Sequence, residues 1–229
     1  MESANILVVE DDVDINRLLC TILEGAGYTC RAAFSGSEAL LWAEKYNYDL
    51  VVLDLMLPGL TGEEFIVQVR RERTMPIIVA SAKLGVSDRV NVLKLGADDF
   101  IPKPFDNAEV LARVEAQLRR SRQFSAPCSD ALTAGAMTLE IDSRSLSIGG
   151  QEISLTSREF DILALLMRNP RRAFSRAQIY EAVWGEEFIG DDNTVNVHVS
   201  NLRSKLAKVD PDTAYIKTVW GIGFKFSLS

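Results

Sequence analysis

Apolar runs alternate with amphipathic stretches five times in the first half of the chain. The apolar runs lie at 6–9, 29–33, 50–53, 77–80 and 99–101, and the amphipathic stretches at 14–26, 36–45, 61–72, 86–95 and 107–120. Three of the runs are apolar throughout, which is typical of a parallel strand that is covered on both faces. A strand–helix alternation of this kind predicts a doubly wound α/β domain with a five-stranded parallel sheet.

The second half has a different pattern. Short alternating strands are predicted near 136–141, 144–148 and 151–154, followed by three helices and a terminal hairpin of 215–219 and 223–227. Thr156 and Glu159 form a capping-box pattern at the first helix, and the other helices are predicted at 175–183 and 194–209. This order indicates a winged helix-turn-helix. The predicted domains are residues 1–121 and 134–229, with a small, polar, proline-containing linker over 122–133.

The charge is unevenly distributed along the chain. The 229 residues carry a net charge of −7, of which −5 belongs to residues 1–122 and −2 to residues 130–229. Residues 193–208 nevertheless contain Arg203, Lys205 and Lys208 and no acid. Because a phosphate backbone responds to local charge, this segment remains compatible with nucleic-acid binding.

Neither a membrane span nor a secretion signal is expected. No apolar run approaches the roughly 20 residues that a membrane span requires, and the first five residues contain no base. Cys20, Cys30 and Cys128 are too few and too scattered for a disulfide framework or a metal cluster. We therefore expect a cytoplasmic protein with no membrane partner, two buried thiols and one linker thiol.

Polar residues follow four of the predicted strands. Glu10 and Asp11 follow the first strand, Asp54 the third, Ser81 the fourth and Lys103 the fifth. In an open parallel sheet these strand ends share one edge, where ligands bind. Crowded carboxylates repel one another unless a cation is present, and their hard oxygens suit Mg²⁺. Once a cation offsets the charge of these carboxylates, Asp54 can attack a phosphorus atom. Lys103 would then neutralise phosphoryl oxygens, and Ser81 would donate a hydrogen bond to one of them.

Three motifs extend this interpretation. The segments 8–12 (VVEDD), 53–59 (LDLMLPG) and 96–105 (GADDFIPKPF) resemble the receiver domains of the OmpR/PhoB family of response regulators, in the family's order and spacing. The resemblance covers nearly the whole chain. It implies a flavodoxin-like receiver, a histidine kinase that phosphorylates Asp54, and Mg²⁺ held by Glu10, Asp11, Asp54 and the Met56 carbonyl.

The resemblance also implies a switch pair, Ser81 and Phe100. The ring moves inward when the hydroxyl turns toward the phosphoryl group. Threonine and tyrosine are commoner at these two positions, and Phe100 has no hydroxyl to offer a partner. Lys103-Pro104 is a plausible place for a cis peptide bond beside the pocket.

A dimerisation face on the fourth helix, fifth strand and fifth helix is implied by the same resemblance. Its intermolecular pairs would be Arg89 with Glu109 and Asp99 with Arg113. The other members of the expected interface are Lys94, Glu115 and Asp98, the last of these paired with Arg119 or Arg120. Each exposed pair contributes little alone, but several across a symmetric interface can set its register.

The helix at 194–209 is the predicted DNA-reading helix. A helical wheel puts Val195, Val199, Leu202 and Leu206 on one buried stripe. The resemblance identifies this segment as the family's recognition helix, with contacts expected from Thr194, Asn196, Val197, His198, Ser200, Asn201, Arg203, Lys205 and Lys208. Asn201 would read an adenine edge and Val197 a thymine methyl group. Arg203, Lys205 and His198 would contact phosphates.

The terminal hairpin resembles the family's wing. Trp220 occupies a tip position where other members carry a minor-groove arginine, and Lys225 would supply charge there. Asn193 and Asn201 replace arginines found in some members. The loop at 184–192 has the position of a polymerase contact in the family, and a plain connecting loop is an equally good interpretation.

The sequence also bears on two other function classes. A phosphohydrolase with an aspartyl nucleophile needs an acid two residues beyond it, where this chain has Met56. There is no GxxxxGK phosphate loop, and the single histidine, His198, lies in the predicted DNA helix. We therefore expect a protein that is not an enzyme. The alternative that keeps the fold is a DNA-binding protein that works without phosphorylation, although no residue of the pocket is missing.

Overall fold

The computed structural model describes residues 3–82, 85–123, 131–185 and 193–227. The chain divides into two compact units, Met1–Arg120 and Ser121–Ser229. Among the described helices, none combines the length and the apolar character that a membrane crossing requires.

The first unit is a five-stranded parallel sheet with helices. Its elements are β1 (Asn5–Val9), α1 (Val13–Gly25), β2 (Thr29–Ala33), α2 (Gly36–Lys45), β3 (Leu50–Leu53), α3 (Gly62–Val69), β4 (Ile77–Ser81), α4 (Val86–Leu95), β5 (Asp99–Pro102) and α5 (Asn107–Gln123). The strand order is β2-β1-β3-β4-β5, and every described pairing in this sheet is parallel. The predicted doubly wound α/β receiver fold is confirmed.

Local sequence explains where these helices begin. Ser35 accepts a hydrogen bond from the Glu38 amide at 3.2 Å, which starts α2. Thr61 and Glu64 form a reciprocal capping box at α3. Each cap satisfies amides that a helix leaves without partners in its first turn. The central strands β1, β3 and β4 are buried almost throughout, so their apolar runs form the core between the helices.

The second unit contains a four-stranded antiparallel sheet, three helices and a terminal hairpin. Its elements are β6 (Ala131–Ala134), β7 (Met137–Glu140), β8 (Ser145–Ile148), β9 (Gln151–Ile153), α6 (Ser157–Arg168), α7 (Arg176–Trp184), α8 (Thr194–Val209), β10 (Ile216–Val219) and β11 (Gly223–Phe226). Capping boxes at Thr156 and Ser175 start α6 and α7. One apolar core includes residues from the sheet, all three helices and the hairpin. The predicted winged-helix fold is confirmed.

The linker predicted over 122–133 is too long at both ends. The helix α5 continues to Gln123, and β6 begins at Ala131. Residues 131–134 pair antiparallel with β7, and Leu132 packs against the core of the second unit. A four-residue strand of small residues gives little hydrophobic signal, so the sequence pattern did not reveal it. The remaining linker residues, 124–130, lie outside the described residues.

Candidate functional site

The acidic pocket forms at the carboxyl ends of β1, β3, β4 and β5. Oxygens of Glu10, Asp11 and Asp54 lie within 4.8 Å of one another. Glu10 and Asp54 are buried, Asp11 is exposed, and Ser81 ends β4 with no exposed surface. The structure therefore brings together the three carboxylates that the strand ends predicted.

Lys103 holds two of these carboxylates. Its Nζ lies 2.5 Å from Glu10 Oε2 and 2.6 Å from Asp54 Oδ2. Burial acts to lower the pKa of Lys103, but the hydrogen bonds and charges of Asp54 and Glu10 outweigh it, so this pKa is raised. Burial raises the pKa of Glu10, and the ammonium offsets only part of that effect. The pocket therefore contains more negative charge than its lysine neutralises.

The donor set fits a hard divalent cation. Three carboxylates within a few ångströms are the oxygen ligands that Mg²⁺ prefers, and the exposed Asp11 leaves room for the waters this ion keeps. The Met56 amide donates to Asp54 Oδ1 at 3.2 Å, which puts the Met56 peptide beside the acceptor carboxylate. Glu10, Asp11 and Asp54 would hold the ion, with the Met56 carbonyl as a further predicted ligand.

Several residues that sequence reasoning missed position this pocket. Asp12 is a helix cap, because its Oδ1 accepts from the amides of Asp14 at 2.9 Å and Ile15 at 3.0 Å. The buried Asn16 side chain donates to the carbonyls of Glu10 and Ala33, each at 3.0 Å. It thereby ties α1 to the chain at the pocket. Because the Asn16 bonds join residues on different elements, neither periodicity nor spacing reveals them.

Gly62, the first residue of α3, lies against the acceptor peptide. A Cβ atom there would lie 2.3 Å from the Asp54 carbonyl oxygen and 2.7 Å from the Leu55 Cα. Real Cβ contacts are never this short, so only glycine lets α3 begin against the acceptor peptide. The predicted cis peptide bond at Lys103-Pro104 is confirmed.

The predicted switch residues are both buried. Phe100 lies in β5, where it pairs with Val79 of β4, and it is 8% exposed. Ser81 ends β4 two residues beyond Val79. Both therefore lie on adjacent strands, and Ser81 lies at the pocket edge of the sheet. Their coupled rearrangement remains a prediction.

Asp98 does not lie on a surface where a second molecule could contact it. It has no exposed surface, and its Oδ2 accepts from Arg70 Nη2 at 2.8 Å and from the Ile77 amide at 2.9 Å. Arg70 also donates to the Gly96 and Met75 carbonyls. The expected partners of Asp98, Arg119 and Arg120, have side chains outside the part of the chain that the structure describes, so that pairing remains a prediction.

Asp99, Glu109 and Arg113 interact within one chain. Arg113 Nη1 lies 3.1 Å from Asp99 Oδ1, and its Nη2 lies 3.0 Å from Glu109 Oε1. We predicted these residues as partners across an interface, and here they form a local network instead. Arg89, Lys94 and Glu115 are exposed, as that interface requires.

The helix α8 has the buried stripe that the helical wheel predicted. Val195, Val199, Leu202 and Leu206 all belong to the core of the second unit. Ser200, Ser204 and Lys208 are exposed, and Asn196 and Asn201 are partly exposed. These five residues form the accessible polar face of α8, which keeps the small, polar character that the sequence indicated.

Three residues predicted to contact DNA are buried instead. His198 is 1% exposed, and its ring lies 5.5 Å from the ring of Trp184 at the end of α7. Val197 and Thr194 are 6% and 7% exposed. The helical wheel assumed that only one stripe of α8 is buried, whereas the helices packed against α8 cover a wider part of its surface. The predicted phosphate contact by His198 and base contact by Val197 are wrong for this conformation.

Two predicted phosphate-binding residues make bonds within the unit. Arg203 Nε donates to the Ile216 carbonyl and its Nη2 to Thr218 Oγ1, both at 3.0 Å, which fastens the hairpin to α8. Lys205 Nζ lies 2.6 Å from Glu159 Oε2. Their charges remain beside the accessible polar face of α8, but part of their hydrogen-bonding capacity is used. Lys208 is exposed and carries its charge on the same helix.

The wing tip is apolar and flanked by lysines. Trp220 is 92% exposed and Ile222 is 56% exposed, at the turn between β10 and β11. Lys217 and Lys225 are directly opposite each other in this hairpin. The loop at 184–192, predicted as a polymerase contact or a plain connection, has residues 186–192 outside the described residues.

Comparisons with known proteins cover both units. A family model described as "Response regulator receiver domain" matches residues 6–115, and one described as "Transcriptional regulatory protein, C terminal" matches residues 150–226. The transcriptional regulatory protein ResD of Bacillus subtilis is 41% identical to this chain, and the match covers 97% of this chain and 95% of ResD.

Two solved structures extend the likeness to the whole chain. A structure titled "RitR mutant - C128S" has a TM-score of 0.83 at 27% identity and covers 99% of this chain and 100% of its own. The response regulator DrrB of Thermotoga maritima, described as an OmpR/PhoB homologue, has a TM-score of 0.53 at 25% identity, with coverage of 99% and 100%.

Proposed function

Because the chain belongs to the two-component response regulators of OmpR/PhoB type, we propose that a sensor histidine kinase phosphorylates it on Asp54 and thereby promotes its dimerisation and sequence-specific DNA binding. The relatives of this chain are transcriptional regulators. The observation that carries the proposal is the pocket in which Lys103 bridges Glu10 and Asp54 beside a third carboxylate.

The transfer step follows from these contacts. An Asp54 oxygen attacks the phosphorus of the kinase phosphohistidine, so that a P–O bond forms as the P–N bond breaks. Lys103 and the buried Ser81 would then hold two oxygens of the transferred group. A bound Mg²⁺ supplies positive charge that offsets the added phosphoryl charge.

The phosphorylated state would act by shifting a population. A phosphoryl group that fits only one arrangement of Ser81 and Phe100 stabilises that arrangement and the dimer face linked to it. Arg89, Lys94 and Glu115 already lie on the surface, and Asp99, Glu109 and Arg113 lie near it. The dimer would then present two α8 helices to direct-repeat or similar half-sites. RNA polymerase is the expected further partner.

Phosphoryl uptake tests the first part of the proposal. The purified protein is incubated with acetyl phosphate and Mg²⁺, and its intact mass is measured. We expect a gain of one phosphoryl group in the wild type and none in Asp54→Ala. Asp12→Asn is the matched control, because asparagine caps a helix as well as aspartate and should leave uptake unchanged. Equal uptake by Asp54→Ala would refute the assignment of the acceptor.

DNA binding tests the second part. Binding to duplexes selected from a random pool is compared with and without beryllofluoride, together with sedimentation. We expect beryllofluoride to raise both affinity and dimer population. Unchanged sedimentation and affinity would favour the alternative, a winged-helix protein that binds DNA without phosphorylation.

Variants of α8 and the wing separate base reading from charge. Asn201→Ala should weaken the binding free energy by about 1–3 kcal/mol at one base position and relax the sequence preference there.

Lys208→Ala should weaken binding to all sequences and reduce the salt dependence by about one phosphate contact. Trp220→Ala should weaken binding without changing the salt dependence, because it removes apolar contact and no charge.

A further inference from the structure

The wing tip exposes two large apolar side chains next to each other. Trp220 is 92% exposed and Ile222 is 56% exposed, on either side of Gly221 in the turn between β10 and β11. Among the other large apolar residues that the structure describes, the most exposed is Leu41, at 66%. An indole that is almost wholly in water, with a second apolar side chain beside it, is typical of an interaction site.

The base of this hairpin is fixed, although its tip is exposed. Phe224 exchanges two backbone hydrogen bonds with Phe174, of 2.8 and 2.9 Å. A Cβ atom at Gly223 would lie 2.0 Å from the Phe174 carbonyl oxygen, so the strand packs closely on that residue. Arg203 of α8 donates two hydrogen bonds to β10. The tip is therefore held in one position before any partner arrives, which reduces the entropic cost of binding.

The charge around the wing tip favours a polyanion as its partner. The segments 194–209 and 213–227 together contain five Lys or Arg residues and no Asp or Glu, in a chain whose net charge is −7. Lys217 and Lys225 lie directly opposite each other in the hairpin, and like charges in such positions destabilise a sheet. A DNA duplex offers negative charge along its backbone and broad apolar surface on the faces of its bases.

We propose that the wing tip is an apolar wedge, of which Trp220 enters one base step of duplex DNA from the minor groove, unstacks that step and bends the duplex. With α8 in the major groove, a hairpin fastened beside α8 reaches the neighbouring minor groove, from which apolar wedges enter DNA. Stacked bases cover one another, so the indole gains a base face only when a step opens. The inference rests on the proposed function, because it requires that the chain bind DNA.

A wedge selects DNA that deforms easily. Pyrimidine–purine steps such as TA and CA unstack at the lowest cost, so preferred sites should carry one of them at a fixed distance from the bases that α8 contacts. Asn201 would then recognise the edge of a base, whereas Trp220 would recognise how easily a step opens. Sequence preference is therefore expected at a step where no hydrogen bond to a base is made.

The experiment uses the full chain and duplexes selected from a random pool. Each adenine that flanks the selected core is replaced in turn by 2-aminopurine, whose fluorescence rises when it unstacks, and energy transfer between dyes on the duplex ends measures the bend. We expect brighter fluorescence at one step and a bend of about 20° or more. Cys20 and Cys30 are partly exposed rather than buried as expected, so the buffers contain dithiothreitol.

Variants at Trp220 separate the wedge from the charge. Trp220→Ala should weaken binding by about tenfold and abolish both signals, whereas Trp220→Phe should retain part of each. Trp220→Arg supplies a cation without an apolar ring, so it should bind DNA without unstacking a step. Leu41→Ala, which removes an exposed apolar side chain of the first unit, is the control and should leave both signals unchanged.

The possible outcomes can be told apart. Binding by the wild type without unstacking and bending would overturn the wedge and leave the proposed function intact, as would equal signals from the wild type and Trp220→Ala. Failure of the wild type to bind any selected duplex would refute the proposed function and the wedge together. Because Trp220 is exposed, its variants should keep the thermal unfolding temperature of the wild type, which establishes that a lost signal is not a lost fold.

Discussion

At the scale of single residues, Lys103 controls the charge balance of the pocket. It contacts Glu10 and Asp54 at once, and it is largely buried with them. Removing one member of a buried ion pair is costly because the remaining charges lose their compensation. The lysine and a divalent cation neutralise the same carboxylates, so each should reduce the effect of losing the other.

Lys103→Met should therefore destabilise the first unit in a manner that depends on Mg²⁺. We expect a loss of about 3 kcal/mol in the free energy of unfolding in EDTA, and a smaller loss in Mg²⁺. Urea unfolding under both conditions measures the difference. Lys45→Met, which changes an exposed lysine of α2, should alter stability by no more than about 0.5 kcal/mol in either condition. Equal losses of stability for Lys103→Met with and without Mg²⁺ would contradict the shared role.

The Tyr215–Asp210 hydrogen bond should make the second unit sensitive to high pH. The Tyr215 hydroxyl donates to Asp210 Oδ2 at 2.7 Å. Burial and this bond raise the pKa of Tyr215 from 10.0 to about 12. Between these values the unfolded tyrosine ionises while the folded one stays protonated, so the stabilisation is present below pH 10 and is lost as pH rises towards 12.

The matched comparison is Tyr215→Phe. We expect the wild type to be the more stable protein at pH 8 and its advantage to shrink as the pH rises from 10 to 12. The same bond lowers the pKa of Asp210, so the advantage should also shrink in acid, as pH falls through that lowered value. Denaturant unfolding at acidic, neutral and basic pH measures the loss of this advantage in acid and in base. An advantage that is independent of pH would mean that the Tyr215 hydroxyl stabilises the unit by some means other than this bond.

The pocket could be predicted residue by residue because its members all follow strand ends. Strand ends are visible as the point where an apolar run gives way to a polar residue, and parallel topology brings them together. The partners of Asp98 and His198 could not be predicted in this way. Arg70 and Trp184 contact them from other elements, and no spacing rule connects those pairs.

At the scale of elements, the start of α3 determines where the acceptor peptide lies. Gly62 follows the Thr61 cap, and its missing side chain leaves room for the Asp54 carbonyl. A helix that begins one residue later or at a different angle would move Glu63 and Glu64 as well. The glycine and the cap therefore act together in positioning α3 beside β3.

Gly62→Ala should damage both stability and phosphoryl uptake. The added methyl group cannot fit without a shift of backbone, which we expect to cost about 1–3 kcal/mol. Gly25→Ala is the control, since a Cβ there would meet nothing within 4 Å. That change near the end of α1 should be neutral or stabilising by up to about 1 kcal/mol. Urea unfolding and acetyl phosphate uptake measure both effects, and normal uptake by Gly62→Ala would refute the positioning role.

Most element boundaries could be predicted because local signals mark them. The caps at Ser35, Thr61, Thr156 and Ser175 lie where the sequence has a hydroxyl residue before an amphipathic stretch. The strand β6 was missed because its stability comes from pairing with β7 rather than from its own composition. Long periodic helices can therefore be predicted from their own segment of the sequence, whereas a short strand depends on the strand with which it pairs.

At the scale of the whole molecule, the two units have separate apolar cores. One core lies between the parallel sheet and its helices, and the other joins the antiparallel sheet, α6 to α8 and the hairpin. Each core is large enough to support its own cooperative transition. A ligand that binds one unit should therefore stabilise that unit.

Calorimetry should show two unfolding transitions, only one of which responds to Mg²⁺. At a concentration one hundred times the dissociation constant, the ion should stabilise the first unit by about 2.7 kcal/mol. The second transition should not move. In Asp54→Ala the Mg²⁺-dependent shift should be smaller, because a ligand is missing. A shift of both transitions in the wild type would mean that the units unfold together.

The network of Asp99, Arg113 and Glu109 changes what assembly of two chains would involve. Arg113 already pairs with Asp99 and Glu109, so a dimer that paired Arg113 across its interface would replace contacts within each chain by similar contacts between chains. Such an exchange should change the free energy little, and dissolved ions weaken the contacts within a chain and those between chains alike. The association constant should consequently vary little with ionic strength, and a small bias from a distant covalent change would be enough to select the assembled form.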